Sequence, residues 1–334
     1  MRIERVIIKG LRALRSRDDS FKTPAGGIYE AICLRGLTGS GKTTYLEVLA
    51  QLWQWFRRCT QRRGYEKPIA TALLAEAELV AALFTDLPGP MPRMWLAVGT
   101  AEAVAAAIGK DAECPYTFHR NRINWEDEHL LEYWDAAMAR AEAGVTETAP
   151  PNMVWLEAEN KYVPALRGHE LTESRPAPVF VPVARYLPSA RGPSHLEGIM
   201  RALFLTRPEQ WKVLATRVHE LRPNLTLVDR FEESSQRPLF QLPSGEFINA
   251  ERLSAGERSL LINLCMLLRW LSPGGIAMID EPELHQHLSL MRGSLSILAD
   301  LVATKFKGQL LIASHAPEVW DHMRLAGTFL DLES

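Results

Sequence analysis

Apolar and polar positions recur along the chain in two rhythms, one for strands and one for helices. Residues 3–8 alternate well enough for a strand and end at Lys9-Gly10, before a basic segment carrying Arg12, Arg15 and Arg17. A second apolar run, 28–34, predicts another strand. Beyond it Leu46, Leu49, Trp53 and Phe56 share one face at helical spacing, and that helix closes with Arg57, Arg58, Arg62 and Arg63. The alanine-rich stretches 69–84 and 101–108 favour helix by propensity, although neither carries a clean amphipathic stripe. Residues 116–125 alternate as a strand does, 128–143 predict a helix with Leu131, Trp134 and Met138 on one face, and 144–151 read as a loop.

Farther on, 179–187 predict a strand that Pro182 confines to an edge or a bulge, followed by a turn-rich exit at 188–193 with Arg191. Residues 195–221 are mostly helical, with an interruption near Pro208. Short strands are expected at 225–228, 238–242 and 246–248, the last two joined by Pro243-Ser244-Gly245 as a hairpin. A very apolar helix at 259–271 and two buried strands, around 276–280 and 309–314, complete the pattern. No internal repeat or low-complexity tract interrupts it.

Composition changes this picture little. A chain of 334 residues, 47% hydrophobic and 23% charged, can bury a sizeable core in one large domain or two. The net charge of −2 speaks against a generally basic coat for nucleic acid and leaves room for a local basic face. Cys33, Cys59, Cys114 and Cys265 are scattered without C-x-x-C spacing, which suggests reduced thiols rather than a disulfide framework or a zinc site. The start lacks an uncharged core of signal-peptide length and no apolar run is long enough to span a bilayer, so the expectation is a cytoplasmic protein without a membrane partner.

The chemistry begins at Gly36-Leu37-Thr38-Gly39-Ser40-Gly41-Lys42-Thr43-Thr44, the phosphate-loop pattern G-x-x-x-x-G-K-[ST] between a strand and a helix. Its glycines let backbone N–H groups converge on a phosphate at a helix N-terminus, Lys42 supplies a point charge, and Thr43 offers a hydroxyl to Mg²⁺. A second stretch, Leu253-Ser254-Ala255-Gly256-Glu257-Arg258, opens the apolar helix at 259–271. The Ser254 hydroxyl and the free N–H groups there suit an anion, and S-x-G-E is equally a good helix start. Third is the strand ending in Asp280-Glu281. Paired carboxylates at the C-terminal edge of a parallel strand are costly as core and stand where such sheets place ligands. Asp280 is expected to hold Mg²⁺ through its water shell, and Glu281 to polarise the attacking water. Last, the strand at 309–314 ends in His315. A lone histidine there is more often structural, but after three phosphate-site elements it reads as a γ-phosphate contact. His285 and His287, two positions apart, share no helix face and read as polar residues of the following helix rather than a metal pair.

The signature at Leu253–Arg258 resembles the L-S-G-G-[EQ] motif of ATP-binding-cassette (ABC) ATPases, with Ala255 replacing the first glycine. With the other three motifs in the same order, residues 1–56 and 238–332 resemble the ABC-type ATPase superfamily. The resemblance implies an α/β fold, a P-loop NTPase with an ABC-type head of mixed β-sheets flanked by helices. Between Gly36 and Ser254 lie 218 positions, far more than in transporter ABC domains, so an α+β insertion between the Walker A loop and the signature is expected. The expected division is 1–67 and 238–334 as the two parts of the head, with 68–237 inserted. The Asp280-Glu281-Pro282-Glu283-Leu284-His285 run looks more like the SMC-related branch, which includes RecF-type repair ATPases and the overcoming-lysogenization-defect (OLD) family of phage-defence ATPases.

What the resemblance implies is ATP and Mg²⁺ as ligands and a head-to-tail pair of chains. Ser254, Gly256 and Glu257 of one copy would complete the site around Gly36, Thr38, Gly39, Ser40, Gly41, Lys42, Thr43 and Thr44 of another, with Lys42, Glu281 and His315 serving hydrolysis. It also points to an ATPase that senses or regulates a separate effector, a nuclease or toxin, in antiviral defence. Two other readings stay open: a repair clamp that touches DNA through Arg57, Arg58, Arg62 and Arg63, and a nucleotide-gated scaffold with negligible turnover. Those four arginines read equally as solvated cations complementing a helix C-terminus.

Overall fold

The computed structural model describes residues 1–62, 72–89, 92–108, 117–118, 128–145, 149–165, 180–189, 195–324 and 327–333. Arg63, Cys114, Arg191 and most of 116–125 lie outside these residues. The first sheet is built from β1 (Arg2–Leu11), β2 (Arg15–Ser20), β4 (Leu79–Thr85), β5 (Arg93–Gly99) and β6 (Thr117–Phe118), in the order β2-β1-β4-β5-β6. It is antiparallel except for the β5–β6 edge.

The second sheet is wholly parallel, as befits strands joined by helical crossovers. Its strands are β3 (Ala31–Arg35), β7 (Met153–Leu156), β8 (Val183–Arg185), β12 (Ile276–Asp280), β13 (Gln309–Ser314) and β14 (Thr328–Asp331). They run β14-β3-β13-β12-β7-β8. A small antiparallel sheet of β9 (Thr226–Phe231), β10 (Pro238–Gln241) and β11 (Phe247–Ile248) contains the expected hairpin. Pro182 stands just before β8, an edge strand, where a missing N–H costs no ladder bond.

Between the two large sheets runs α1 (Lys42–Gln61). The sequence marks one apolar face on it, yet Tyr45, Val48, Leu52 and Trp55 are buried as well, because sheets cover it from two sides. The period of two in the parallel strands sorts their side chains between the layers. Ile32, Leu34, Ile276, Met278, Leu311 and Ala313 face α1, while Ala31, Cys33, Ala277, Ile279, Leu310 and Ile312 face the opposite layer. That layer comprises α5 (Leu196–Thr206), α6 (Pro208–Leu221), α7 (Ala255–Trp270) and α8 (Leu288–Asp300). On the outer face of the first sheet, α3 (Ala101–Ile108) packs on Ile7, Leu83 and Trp95, as its propensity suggests.

One expectation is overturned at 69–84. Among the described residues there, only Leu73–Glu76 is helical, as the short α2, and Leu79–Thr85 forms β4, buried at every position between β1 and β5. Alanine content favours helix in isolation, but pairing on both edges and burial of both faces decide the strand. Residues from 68–237 supply β4, β5 and β6 to the first sheet and β7 and β8 to the parallel one.

The basic end of α1 is also corrected in part. Arg57 is buried and donates to both Glu142 oxygens at 3.0 and 2.9 Å and to Asp135 at 3.0 Å. Both acids belong to α4 (Glu128–Glu142), whose Trp134 meets Trp53 and Phe56 edge-on at 5.9 and 5.5 Å. Three of the five guanidinium N–H donors are spent on these internal acids, which ties the group to α4 rather than to a phosphate backbone. His285 and His287 also move: both precede α8, and the His287 ring caps its first turn by accepting from the Ser289 N–H. Cys33, Cys59 and Cys265 are buried. Among the described residues, no helix is long and apolar enough to cross a membrane.

Candidate functional site

The phosphate loop spans the six residues between β3 and α1. Gly41 takes φ +96 at the helix N-cap, and a Cβ there would stand 2.8 Å from Cδ2 of Leu14, so the first residues of the chain close the loop from behind. Buried Lys42 turns its Nζ back onto the carbonyl oxygens of Gly36 and Leu37 at 2.8 and 2.9 Å. Thr38 and Gly39 are exposed at the loop's tip, while Ser40 Oγ is buried without a partner. Thr44 lies in the first turn of α1. The Leu37 N–H donates to the carboxylate of Glu333, just beyond β14.

Parallel pairing sets Asp280 beside Ala313 and brings the ends of β3, β12 and β13 to one edge of the sheet. Thr43 Oγ1 donates to Asp280 Oδ2 at 2.6 Å, and Asp280 Oδ1 is buried with no hydrogen-bond partner. Two hard oxygens in contact, one with an unspent lone pair beside a phosphate loop, fit Mg²⁺, which takes one or two protein ligands and completes its shell with water and phosphate.

Burial pushes the Asp280 carboxyl from its ordinary 3.8 up to about 6, against the hydrogen bond from Thr43 and the charge of Lys161, which pull it down. A carboxyl whose folded pKa lies above its unfolded one holds its proton longer in the folded state, so its stabilising contribution is full below pH 3.8 and lost as pH rises to 6. In metal-free protein, Asp280→Asn should remove roughly 3 kcal/mol of decline in unfolding free energy over that window. Urea titrations with chelator at several pH values measure it; an unchanged slope would show that Asp280 does not titrate this way.

Glu281 stands in the left-handed region at φ +45, with its N–H donating to Ala313 O at 2.8 Å. His315 Nδ1 lies 3.2 Å from Glu281 Oε1 and 3.4 Å from Glu283 Oε1. Ser314 Oγ donates to that same Glu283 oxygen at 2.6 Å. The expected base and the expected γ-phosphate contact therefore touch each other, and Glu283 and Ser314, neither of them a predicted site residue, complete the cluster. Lys161, which follows β7 after a short turn, was missed as well. Its buried ammonium donates to the carbonyl oxygens of both Asp280 and Glu281. Burial lowers its pKa to about 8, with Asp280, Glu283 and Glu281 holding it up. The one available signal was the short apolar run Met153–Leu156 bounded by Asn152 and Glu157, the mark of a buried strand whose exit belongs at the ligand edge.

The signature residues form a capping box at α7. Ser254 Oγ accepts from the Glu257 N–H at 3.3 Å, while the Glu257 carboxylate accepts from the Ser254 N–H and hydroxyl at 2.8 Å each. Arg222 pairs with the other Glu257 oxygen at 2.8 Å. A Cβ on Gly256 would meet the His285 carbonyl oxygen at 2.8 Å, so this helix start is pressed against the loop that follows the carboxylates. Within one chain no hydrogen bond or ion pair among the described residues joins Ser254, Gly256 or Glu257 to the phosphate loop.

A parallel sheet, a glycine-rich loop leading into α1, and an aspartate on a neighbouring strand in contact with the loop threonine define the α/β fold of a P-loop NTPase. No protein-family model matches the sequence, and no curated protein matches it. Among solved structures, the SMC head domain from Thermotoga maritima is 12% identical with a TM-score of 0.44, over 96% of this chain and 92% of that one. A dimeric post-hydrolysis state of an ATP-binding cassette bound to ADP and Pi is 12% identical with a TM-score of 0.42, over 98% and 93%.

Proposed function

We propose that this chain binds ATP with Mg²⁺ and hydrolyses it between two copies arranged head to tail. The observation that carries the reading is the 2.6 Å contact of Thr43 with Asp280, which sets Glu281 one residue farther along the same edge. Lys42 would leave the Gly36 and Leu37 carbonyls for phosphate oxygens, while the N–H groups of Gly39 to Thr44 cradle the anion at the start of α1. Thr43 and Asp280 would hold Mg²⁺, which supplies charge neutralisation between the phosphates. Glu281 takes the proton of the attacking water as general base, and His315, placed between Glu281 and Glu283, is set to exchange its carboxylate contacts for the γ-phosphate.

Ser254 and Gly256 stand at the N-terminal start of α7, with Ser254 Oγ in the capping box, which suits Ser254, Gly256 and Glu257 to meet an anion across an interface. Ser254→Arg should keep nucleotide binding by the monomer and abolish ATP-driven dimerisation, read by light scattering with and without ATP. Ser254→Ala serves as control, since loss of the cap alone costs about 1 kcal/mol. Dimerisation of the arginine variant at wild-type ATP concentrations would sink the head-to-tail arrangement.

The motif pattern further supports a regulator of a separate effector, such as a nuclease or toxin in antiviral defence, over a DNA clamp. Internal pairing of Arg57 takes one cation from the patch a clamp would use. Copurification of the wild-type chain with ATP tests this choice: a protein partner fits the regulator, and salt-sensitive nucleic acid fits the clamp.

A further inference from the structure

The geometry points to Lys161 as a positioning residue that locks Glu281 in the left-handed turn its chemistry needs, an inference that rests on Glu281 being the general base. Strand β7 lies parallel to β12, with Met153 to Leu156 opposite Ile276 to Ile279, so the chain leaving β7 arrives beside the chain leaving β12. The turn Ala158–Asn160 then drops Lys161 beneath the carboxylate pair. Its side chain is sealed from solvent, and its ammonium is spent on two backbone carbonyls, those of Asp280 and Glu281.

A buried ammonium is costly unless it is paired, and here two carbonyls accept from it while the charges of Asp280, Glu283 and Glu281 favour it. What the two bonds secure is an unfavourable backbone. Glu281 is neither glycine nor asparagine, it precedes Pro282, and it still sits at φ +45. The proline ring disfavours helical conformations in the residue before it, and a left-handed non-glycine residue persists only where its surroundings over-determine it. Here the surroundings are bonds on each side of the Cα: the Glu281 N–H donates to Ala313 O, and the Glu281 carbonyl accepts from Lys161 and from the Leu284 N–H at 3.1 Å. That turn directs the carboxylate out of the strand direction to within 3.2 Å of His315. Without the ammonium the carbonyl keeps only the Leu284 N–H, the turn loosens toward extended backbone, and the base loses its fixed place while the phosphate loop, built on β3 and α1, stays intact.

Lys161→Met keeps the length of the side chain and removes its donors. We expect kcat to fall by at least about tenfold, since small misplacements of reacting groups are penalised steeply. KM and the affinity for a fluorescent ATP analogue should stay within about twofold, because uniform binding is untouched. If Lys161 works through Glu281, adding Lys161→Met to Glu281→Gln should cost nothing more. Wild-type kcat in Lys161→Met, or a full additional loss in the Glu281→Gln background, overturns the inference. Wild-type turnover in Glu281→Gln alone overturns the assignment of the base instead, and the inference falls with it. Should Lys161→Met lose its cooperative unfolding transition, Lys161→Gln retains an uncharged amide NH₂ as donor on a shorter stem. It should then fold with a kcat between those of wild type and Glu281→Gln, and wild-type kcat there likewise overturns the inference.

Discussion

Glu281→Gln is expected to lower ATP turnover by at least about a hundredfold, the range in which a positioned general base contributes. The substitution keeps the shape of the side chain and its place beyond β12, and it takes away only the capacity to accept a proton. ATP affinity should therefore remain within about twofold, and nucleotide-bound dimers should accumulate because closure is no longer undone by hydrolysis. The carboxylate also lies 3.2 Å from His315 Nδ1, so removing its charge leaves Glu283 as the nearer attraction for that ring. Phosphate release under saturating ATP, together with equilibrium binding, separates the two effects. Turnover at the wild-type rate would remove Glu281 from the chemistry and favour a scaffold gated by nucleotide alone.

Lys42→Ala should act at the opposite end, weakening ATP binding by at least about a hundredfold. Each charge-assisted hydrogen bond is worth about 1.5–3 kcal/mol, and Lys42 can direct more than one at the phosphates. Its present partners, the carbonyls of Gly36 and Leu37, show that the ammonium is already folded over the loop and needs only a short change of direction to reach an anion. The thermal transition without nucleotide should move little, and the stabilisation that ATP gives the wild type should vanish. Fluorescent-nucleotide titration and melting with and without ATP read both. Retained ATP stabilisation would mean that the loop's backbone alone carries the binding.

What could be read from the sequence was whatever has local character. The loop, the signature, the carboxylate pair and His315 are short strings whose meaning lies in residue type and spacing, and β3, β12 and β13 are uninterrupted apolar runs. The helix with Leu131, Trp134 and Met138 announced its buried face, and all three are buried. Hidden features were those whose meaning comes from a partner far away. Residues 79–85 look helical by alanine content and become a strand because β1 and β5 flank them. Four apolar residues, Met153–Leu156, hint at a buried strand but are too few to show a period, so the adjacency that gives Lys161 its partners was not legible. Arg57 looked like a surface cation because its acids lie 78 and 85 positions away.

The order β14-β3-β13 sets a timetable for synthesis. The strand that delivers the phosphate loop, Ala31–Arg35, has both ladder partners at 309–331, so on the ribosome it waits for almost the whole chain. At ordinary elongation rates that delay is roughly a quarter of a minute to a minute. The antiparallel strands β1, β4 and β5, all within the first hundred residues, can pair meanwhile and shelter one side of α1. Until the last strands emerge, two unpaired edges of an apolar strand stay open to other chains. A stalled or truncated product would carry a complete phosphate-loop sequence with no sheet to shape it, and its fate would be set by aggregation and chaperone capture rather than by nucleotide.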